Sequence, residues 1–342
     1  MEKFLTYQDI LLVPNYSELE SRSLANASVK LCGWEFKLPI VPANMEDVIE
    51  PEICGYLSEN YYFYIYHRFG KESSDDIEDN LNTVYFVKLA NRQNWKLISI
   101  STGVNQDSLN ELITIKALRL RVDFITIDIA HGHHSKVRDR IKWIKENLPN
   151  TKIISGNIAT FEAAQDLQKW GADVIKVGIG QGSICTTRFQ TGFSVPMFSC
   201  VSNITTNKYY KDFSNTIDLG MSYEYKTISN DIPIIADGGI QNIGDIPKAL
   251  VAGATMVMSG GLFAPCINSP AKIIDNKKQY RGSTSFAAKK ENKHIEGKIV
   301  NLDADITIQE RLEEIKQALQ SSISYAGGND LSAFKNVKWI TI

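Results

Sequence analysis

Short apolar runs punctuate the chain at 38–41, 62–66, 96–100, 124–127, 152–154, 174–177, 232–236 and 255–258. Each is rich in Val, Ile or Tyr and continuous rather than alternating, the pattern of a strand buried on both faces. Helical spacing fills most of the gaps. Val137, Ile141, Ile144 and Leu148 share one face after the fourth run. Phe161, Ala164, Leu167 and Trp170 do so after the fifth, stopped by Gly171, and Ile246, Ala249 and Leu250 precede Gly253. Strand and helix repeated eight times predict a (β/α)8 barrel of the TIM type, a single domain over 1–342. The competing architecture, an open doubly wound sheet, usually places a glycine fingerprint after its first strand, and none stands there.

Two tracts interrupt the rhythm. Residues 199–231 are rich in Asn, Ser, Thr and Tyr and read as an irregular excursion on the sixth connection. Residues 276–298 lack apolar periodicity and read as a mobile flap over the top face. Near the end, Thr307 and Glu310 have capping-box spacing, and Ile308, Leu312, Ile315 and Leu319 form the stripe of a last helix.

Composition narrows the class. An apolar fraction of 43% supports a large core, and 37 basic against 39 acidic residues give a net charge of −2, which does not indicate a nucleic-acid surface. No run suits a membrane span, and the start lacks the apolar core of a signal peptide. Cys32, Cys54, Cys185, Cys200 and Cys266 form no C-x-x-C pair, which suits reduced thiols in a cytoplasmic protein.

In such a barrel, chemistry sits where strands end. Those positions hold Asn44, His67-Arg68, Ser101-Thr102-Gly103, Asp128 with His131, Gly156-Asn157, Gly178-Ile179-Gly180, Asp237-Gly238-Gly239 and Ser259-Gly260-Gly261. Glycine pairs after both of the last two strands let backbone N–H groups approach an anion, so a phosphate is expected there. Asp237, beside the first pair, suits sugar hydroxyls. Cys185 lies on a glycine-rich loop among hydroxyls, a poor place for a purely structural thiol, whereas the other four cysteines read as small buried residues. His131, His133 and His134 are too close in sequence to converge readily on a metal.

The loop Gly180-x-Gly182-Ser183-Ile184-Cys185-Thr186-Thr187 resembles the nucleophile loop of the IMP dehydrogenase and GMP reductase family. Tyr7-Gln8-Asp9-Ile10-Leu11-Leu12-Val13-Pro14, Ser21-Arg22-Ser23, Pro42-Ala43-Asn44-Met45, Ile234-Ile235-Ala236-Asp237-Gly238-Gly239-Ile240 and Ser321-Ser322-Ile323-Ser324-Tyr325-Ala326-Gly327-Gly328 are similar to the same family. Only residues 69–95 separate the second and third runs, too few for the CBS modules that IMP dehydrogenases usually insert there. The 276–298 tract lacks their Arg-Tyr dyad. His67-Arg68-Phe69, Asp128-Ile129-Ala130-His131-Gly132-His133 and the closing Ser-Tyr-Ala-Gly-Gly run look most like the bacterial-type GMP reductases. The alternatives are an IMP dehydrogenase without CBS modules and a purine-nucleotide-binding pseudoenzyme.

What the resemblance implies is NADPH-dependent reductive deamination of GMP to IMP through a covalent cysteine thioimidate. Cys185, Thr187 and Glu296 would be catalytic. Ser183, Asp237, Gly238, Gly239, Gly260, Gly261, Gly282, Ser283, Lys293 and Gly297 would hold the nucleotide. Ser21, Arg22, Arg68, Asp128, Ile129, Ala130, Gly178, Ile179, Gly180, Ser324 and Tyr325 would hold NADPH. Carbonyls of Gly180, Gly182 and Cys185, with Arg188 nearby, would hold a monovalent cation, K+, and the protein would be a homotetramer. The chain departs from the family pattern at Gln181, usually proline, and at Val195-Pro196-Met197.

Overall fold

The computed structural model describes residues 3–69, 82–206, 232–282 and 296–342. Before the barrel come β1 (Ile10–Leu12) and a hairpin of β2 (Val29–Leu31) and β3 (Trp34–Phe36), which turns at Cys32 and Gly33 with φ of 49° and 87°. The barrel strands are β4 (Ile40–Pro42), β5 (Ser99–Thr102), β6 (Phe124–Asp128), β7 (Lys152–Ile158), β8 (Val174–Val177), β9 (Ile234–Asp237) and β10 (Met256–Ser259). They form one parallel sheet in the order β4-β10-β9-β8-β7-β6-β5. With helices between the strands, this is a TIM-barrel-like α/β fold, as the run-and-helix pattern predicts.

The second predicted strand is a correction. Residues 62–66 join the β5 edge of the sheet, but among the described residues their pairing is limited to a parallel bridge from Tyr66 to Ile100. Tyr66 N donates to Ser99 O at 3.0 Å, and Ser101 N donates to Tyr66 O at 2.8 Å. Residues 39 and 43 bond to β10 through Pro39 O and Ala43 N, so the opposite edge of β4 belongs to Ile40 and Pro42, and Pro42 carries no N–H to extend a ladder there. Aromatic packing holds the segment instead: Tyr66 stacks on Phe86 at 3.8 Å, and Phe63 meets Phe36 and Phe124 at 5.0 and 5.1 Å.

The helices follow their sequence signals. Thr160 caps the helix Phe161–Trp170 by accepting from Ala163 N, and Gly171 ends it in the left-handed region, φ 108°. Thr307 and Glu310 form both halves of the capping box that opens Ile308–Tyr325, whose Ile308, Leu312, Ile315 and Leu319 are buried.

Both interrupting tracts contain regular structure. A helix, Met197–Thr206, occupies the first part of the 199–231 excursion, because Met197, Phe198, Cys200, Val201 and Ile204 make a buried face. The 276–298 tract begins as a strand, β12 (Lys277–Arg281), between β11 (Lys272–Ile274) and β13 (Ile299–Asp303), all antiparallel. Its period is two: Lys278 and Tyr280 are buried, and Lys278 Nζ is satisfied by the carbonyls of Ser269 and Ala271. Buried polar side chains hid the strand in the sequence. The remainder of both tracts lies outside the described residues. β14 (Trp339–Thr341) closes the chain against β1.

Candidate active site

Two carboxylates stand at strand ends, Asp128 on β6 and Asp237 on β9, with Lys176 of β8 between them. Lys176 Nζ lies 2.6 Å from Asp128 Oδ1 and 2.7 Å from Asp237 Oδ2 and is 2% exposed. Burial opposes the ammonium charge, yet the two carboxylates raise the Lys176 pKa above its ordinary value. Burial also opposes charge on Asp128, but Lys176, Arg68 and the Asn44 amide outweigh it, and its pKa is lowered. Asn157 Nδ2 reaches Asp237 Oδ2 and Gly178 O, both at 2.8 Å. Glycine is required at 156, where a Cβ would lie 2.4 Å from the Lys176 carbonyl oxygen.

The thiol loop leaves β8 through Gly178 and Gly180, both left-handed, with φ of 138° and 73°. It then turns, Cys185 N donating to Gly182 O at 3.0 Å. From there it pairs with the limb that enters β13. Lys298 N donates to Ile184 O at 3.0 Å, Thr186 N donates to Glu296 O at 2.7 Å, and Cys185 faces Gly297 as an antiparallel bridge. That pairing brings the Glu296 side chain to the thiol loop. Cys185 Sγ donates to Thr187 Oγ1 at 3.1 Å, and Thr187 Oγ1 donates to Glu296 Oε2 at 2.5 Å. A thiol, a hydroxyl and a carboxylate in one hydrogen-bonded line can move a proton away from sulfur and return it to a leaving group.

Two adjoining cavities meet at this line. One is lined by Ser183, Gly238, Gly239, Gly260, Gly261, Gly282 and Gly297. The other is lined by Arg68, Asp128, Ile129, Ala130, Asn157, Gly178, Ile179 and Gly180. Cys185, Asp237 and Glu296 belong to both. The first has the glycine walls of an anion site. The second holds two buried polar atoms without a hydrogen-bond partner among the described residues, Asn157 Oδ1 and Arg68 Nε, which a polar ligand would satisfy.

Three contributors were not singled out from sequence. Lys176 sits inside an apolar run and reads as core, and Met45 is one apolar residue within the 42–45 motif. Tyr280, whose hydroxyl contacts Met45 Sδ at 3.5 Å and overlies Gly260, lay in the tract taken for a loop. Alternation of Lys278 and Tyr280 with their neighbours was the available signal.

Other candidates fall elsewhere. Ser21, Arg22, Ser324 and Tyr325 line neither cavity; Arg22 lies over the Tyr325 ring at 5.8 Å, and Tyr325 borders a separate hollow with Leu12, Val13 and Pro14. The Arg188 guanidinium stacks on Phe189 at 4.6 Å. Ser283 and Lys293 lie outside the described residues. His133 pairs with Asp166 at 2.9 Å, and His134 caps the helix Ser135–Asn147. Among the described residues no cluster of His, Cys, Asp or Glu is placed to hold a metal ion. Burial pushes the Cys32 and Cys266 thiols up to about 11 and Cys200 up to about 12, which keeps them protonated.

The IMP dehydrogenase / GMP reductase domain model matches residues 4–342. A protein of Staphylococcus epidermidis named GMP reductase is 40% identical over 344 residues, 99% of this chain and 97% of its own length. One of Oceanobacillus iheyensis with the same name is 40% identical over 100% of this chain and 97% of its own. One of Bacillus subtilis, also so named, is 39% identical with the same coverage.

Proposed function

Because the chain belongs to the IMP dehydrogenase / GMP reductase family, we propose that it is a GMP reductase, converting GMP to IMP and ammonia with NADPH. The observation that carries this reading is the Cys185–Thr187–Glu296 line at the junction of two cavities. GMP would place its phosphate on Ser183, Gly238, Gly239, Gly260 and Gly261, beneath Tyr280, and its ribose on Asp237. The purine C2 would then face the Cys185 sulfur.

In the first step the thiol proton passes through Thr187 to Glu296, and sulfur attacks C2. The C2–amine bond breaks as Glu296, through Thr187, returns the proton to the amine, which leaves as ammonia. NADPH, when bound, supplies a hydride to C2. The C–S bond then breaks, releasing IMP and restoring the Cys185 thiolate, which takes up a proton. Arg68, Asp128, Ile129, Ala130, Asn157 and the Gly178–Gly180 backbone would hold the nicotinamide end. The orphaned Asn157 Oδ1 suits its carboxamide N–H.

Ser21, Arg22, Ser324 and Tyr325 line neither cavity with Cys185, which supports an assembly, a homotetramer in our reading, whose neighbouring copy supplies those side chains. A monovalent cation, K+, would rest on the carbonyls of Gly180, Gly182 and Cys185, an all-oxygen set that suits a hard cation. No helix among the described residues is long and apolar enough to cross a membrane, and a cytoplasmic enzyme of purine interconversion is the setting we propose. The test is absorbance at the NADPH band. Loss with GMP is expected; gain with IMP and NAD, accompanied by xanthosine monophosphate, would make the protein an IMP dehydrogenase. Nucleotide binding without turnover of either kind would make it a binding protein.

A further inference from the structure

The one buried ammonium among the site's strand ends holds both carboxylates that the two cavities present. Lys176 Nζ contacts Asp128 on the cofactor side at 2.6 Å and Asp237 on the nucleotide side at 2.7 Å. Each carboxylate has one further clamp, Asn44 Nδ2 on Asp128 Oδ2 at 3.0 Å and Asn157 Nδ2 on Asp237 Oδ2 at 2.8 Å. Asp237 Oδ1 accepts no hydrogen bond among the described residues, which leaves it available to a ligand. The three charges sum to one negative charge, and no other cation lies within salt-bridge distance of either carboxylate among the described residues. Removing Lys176 would leave two half-buried carboxylates without the cation that both contact, which favours one of them turning away or taking a proton.

We infer that Lys176 is a positioning residue for both halves of the reaction, a shared counter-ion through which the nucleotide carboxylate Asp237 and the cofactor carboxylate Asp128 are set together. It touches neither reacting atom; its role is to fix two acceptors at once. The inference rests on the assignment of the two cavities to a nucleotide and a nicotinamide cofactor. It goes further in giving one side chain, absent from both cavities' expected ligand sets, control of both affinities.

The test is direct binding of GMP and of NADPH, each measured by intrinsic fluorescence, alongside steady-state kinetics. Lys176→Met should weaken both ligands by about ten- to hundredfold, the usual scale for losing a charge-assisted hydrogen bond at a buried acceptor. Asp128→Asn should weaken NADPH while leaving GMP within about threefold, since Lys176 still holds Asp237. Lys176→Arg keeps the charge and two donors and should recover most of both affinities.

Because Lys176→Met can lose stability through its unpaired anions, the charge-balanced Lys176→Met/Asp128→Asn variant is measured beside it. Its GMP affinity should fall at least about tenfold below that of Asp128→Asn alone. A loss of one ligand only in Lys176→Met, or equal GMP affinity in Asp128→Asn and the double variant, would overturn the inference. Wild-type protein that binds neither ligand would instead overturn the functional reading on which it rests, so the two failures are told apart.

Discussion

Cys185 and Gly297 face one another as an antiparallel bridge, so the loop that carries the thiol and the limb that carries Glu296 share a short ladder. That ladder brings Cys185 and Glu296 to Thr187, the line proposed above as the proton path, and its geometry depends on the neighbouring glycines. A Cβ at Gly282 would lie 2.8 Å from Gly297 Cα. Gly282→Ala should therefore push the limb aside and lower GMP turnover by at least about tenfold, if proton transfer contributes its usual share. Unchanged kcat in a folded variant would mean that the limb can shift without carrying Glu296 away.

Replacement of the sulfur separates chemistry from binding. Cys185→Ala should abolish turnover and keep GMP affinity, because the proposed ribose contact, Asp237, and the proposed phosphate glycines lie at the ends of β9 and β10, with only Ser183 on the thiol loop. Titration calorimetry with GMP and the NADPH assay together check both halves. Residual turnover near the wild-type rate would remove the covalent route.

Glu296→Gln keeps the size and hydrogen bonding of the side chain but cannot cycle a proton. GMP turnover should fall on the order of 10²–10⁴-fold. The hydride step, run backwards from IMP and NADP+, should still give a near-normal burst of NADPH. Equal loss of both would make Glu296 a binding or folding residue.

The phosphate end is tested at Gly260, where a Cβ would come 1.9 Å from the Tyr280 hydroxyl. Gly260→Val should weaken GMP far more than NADPH, since Tyr280 and the phosphate compete for the space the side chain takes. Tyr280→Phe alone should cost GMP binding about 2 kcal/mol, one hydrogen bond to a charged phosphate oxygen. With that hydroxyl gone, Gly260→Ala should weaken GMP binding less than it does in the wild type. Strict additivity of the two changes, measured by GMP titration, would show that they do not meet.

Acid should loosen the carboxylate pair from one side. Asp128 has a folded pKa below its unfolded value near 3.8, so its contribution to stability is complete above that value. It is lost as pH falls below about 4 through the folded pKa. Thermal midpoints followed from pH 6 down to about 3 should show a shallower acid decline in Asp128→Asn than in wild type. Parallel curves would place the acid-sensitive groups elsewhere.

Much of this was legible in the chain. Continuous Val/Ile runs marked seven of eight barrel positions, because a strand buried on both faces leaves no other pattern. The capping residues Thr160 and Thr307 gave helix starts. The thiol loop was found by its glycines. Lys176 was not, because a buried cation in an apolar run is indistinguishable from an ordinary strand residue until its two acid partners, 48 and 61 residues away, are seen beside it. Tyr280 was missed because β12 alternates buried Lys278 and Tyr280 with Lys277, Gln279 and Arg281, a strand whose inner face is itself polar. Arg281 is tied there by a salt bridge and backbone hydrogen bond to the buried Asp47, a contact between distant segments that local periodicity does not encode.

The bridge between Cys185 and Gly297 also sets an order of events during synthesis. At about 5–20 residues per second, the thiol leaves the ribosome several seconds before the residue it pairs with. Through that interval Glu296, the proton acceptor in the mechanism proposed above, has not yet been made, and Thr187 lacks the partner it holds in the folded protein. By the proposed mechanism, a chain ending after the last barrel strand, β10, and before Glu296 should therefore not turn over GMP.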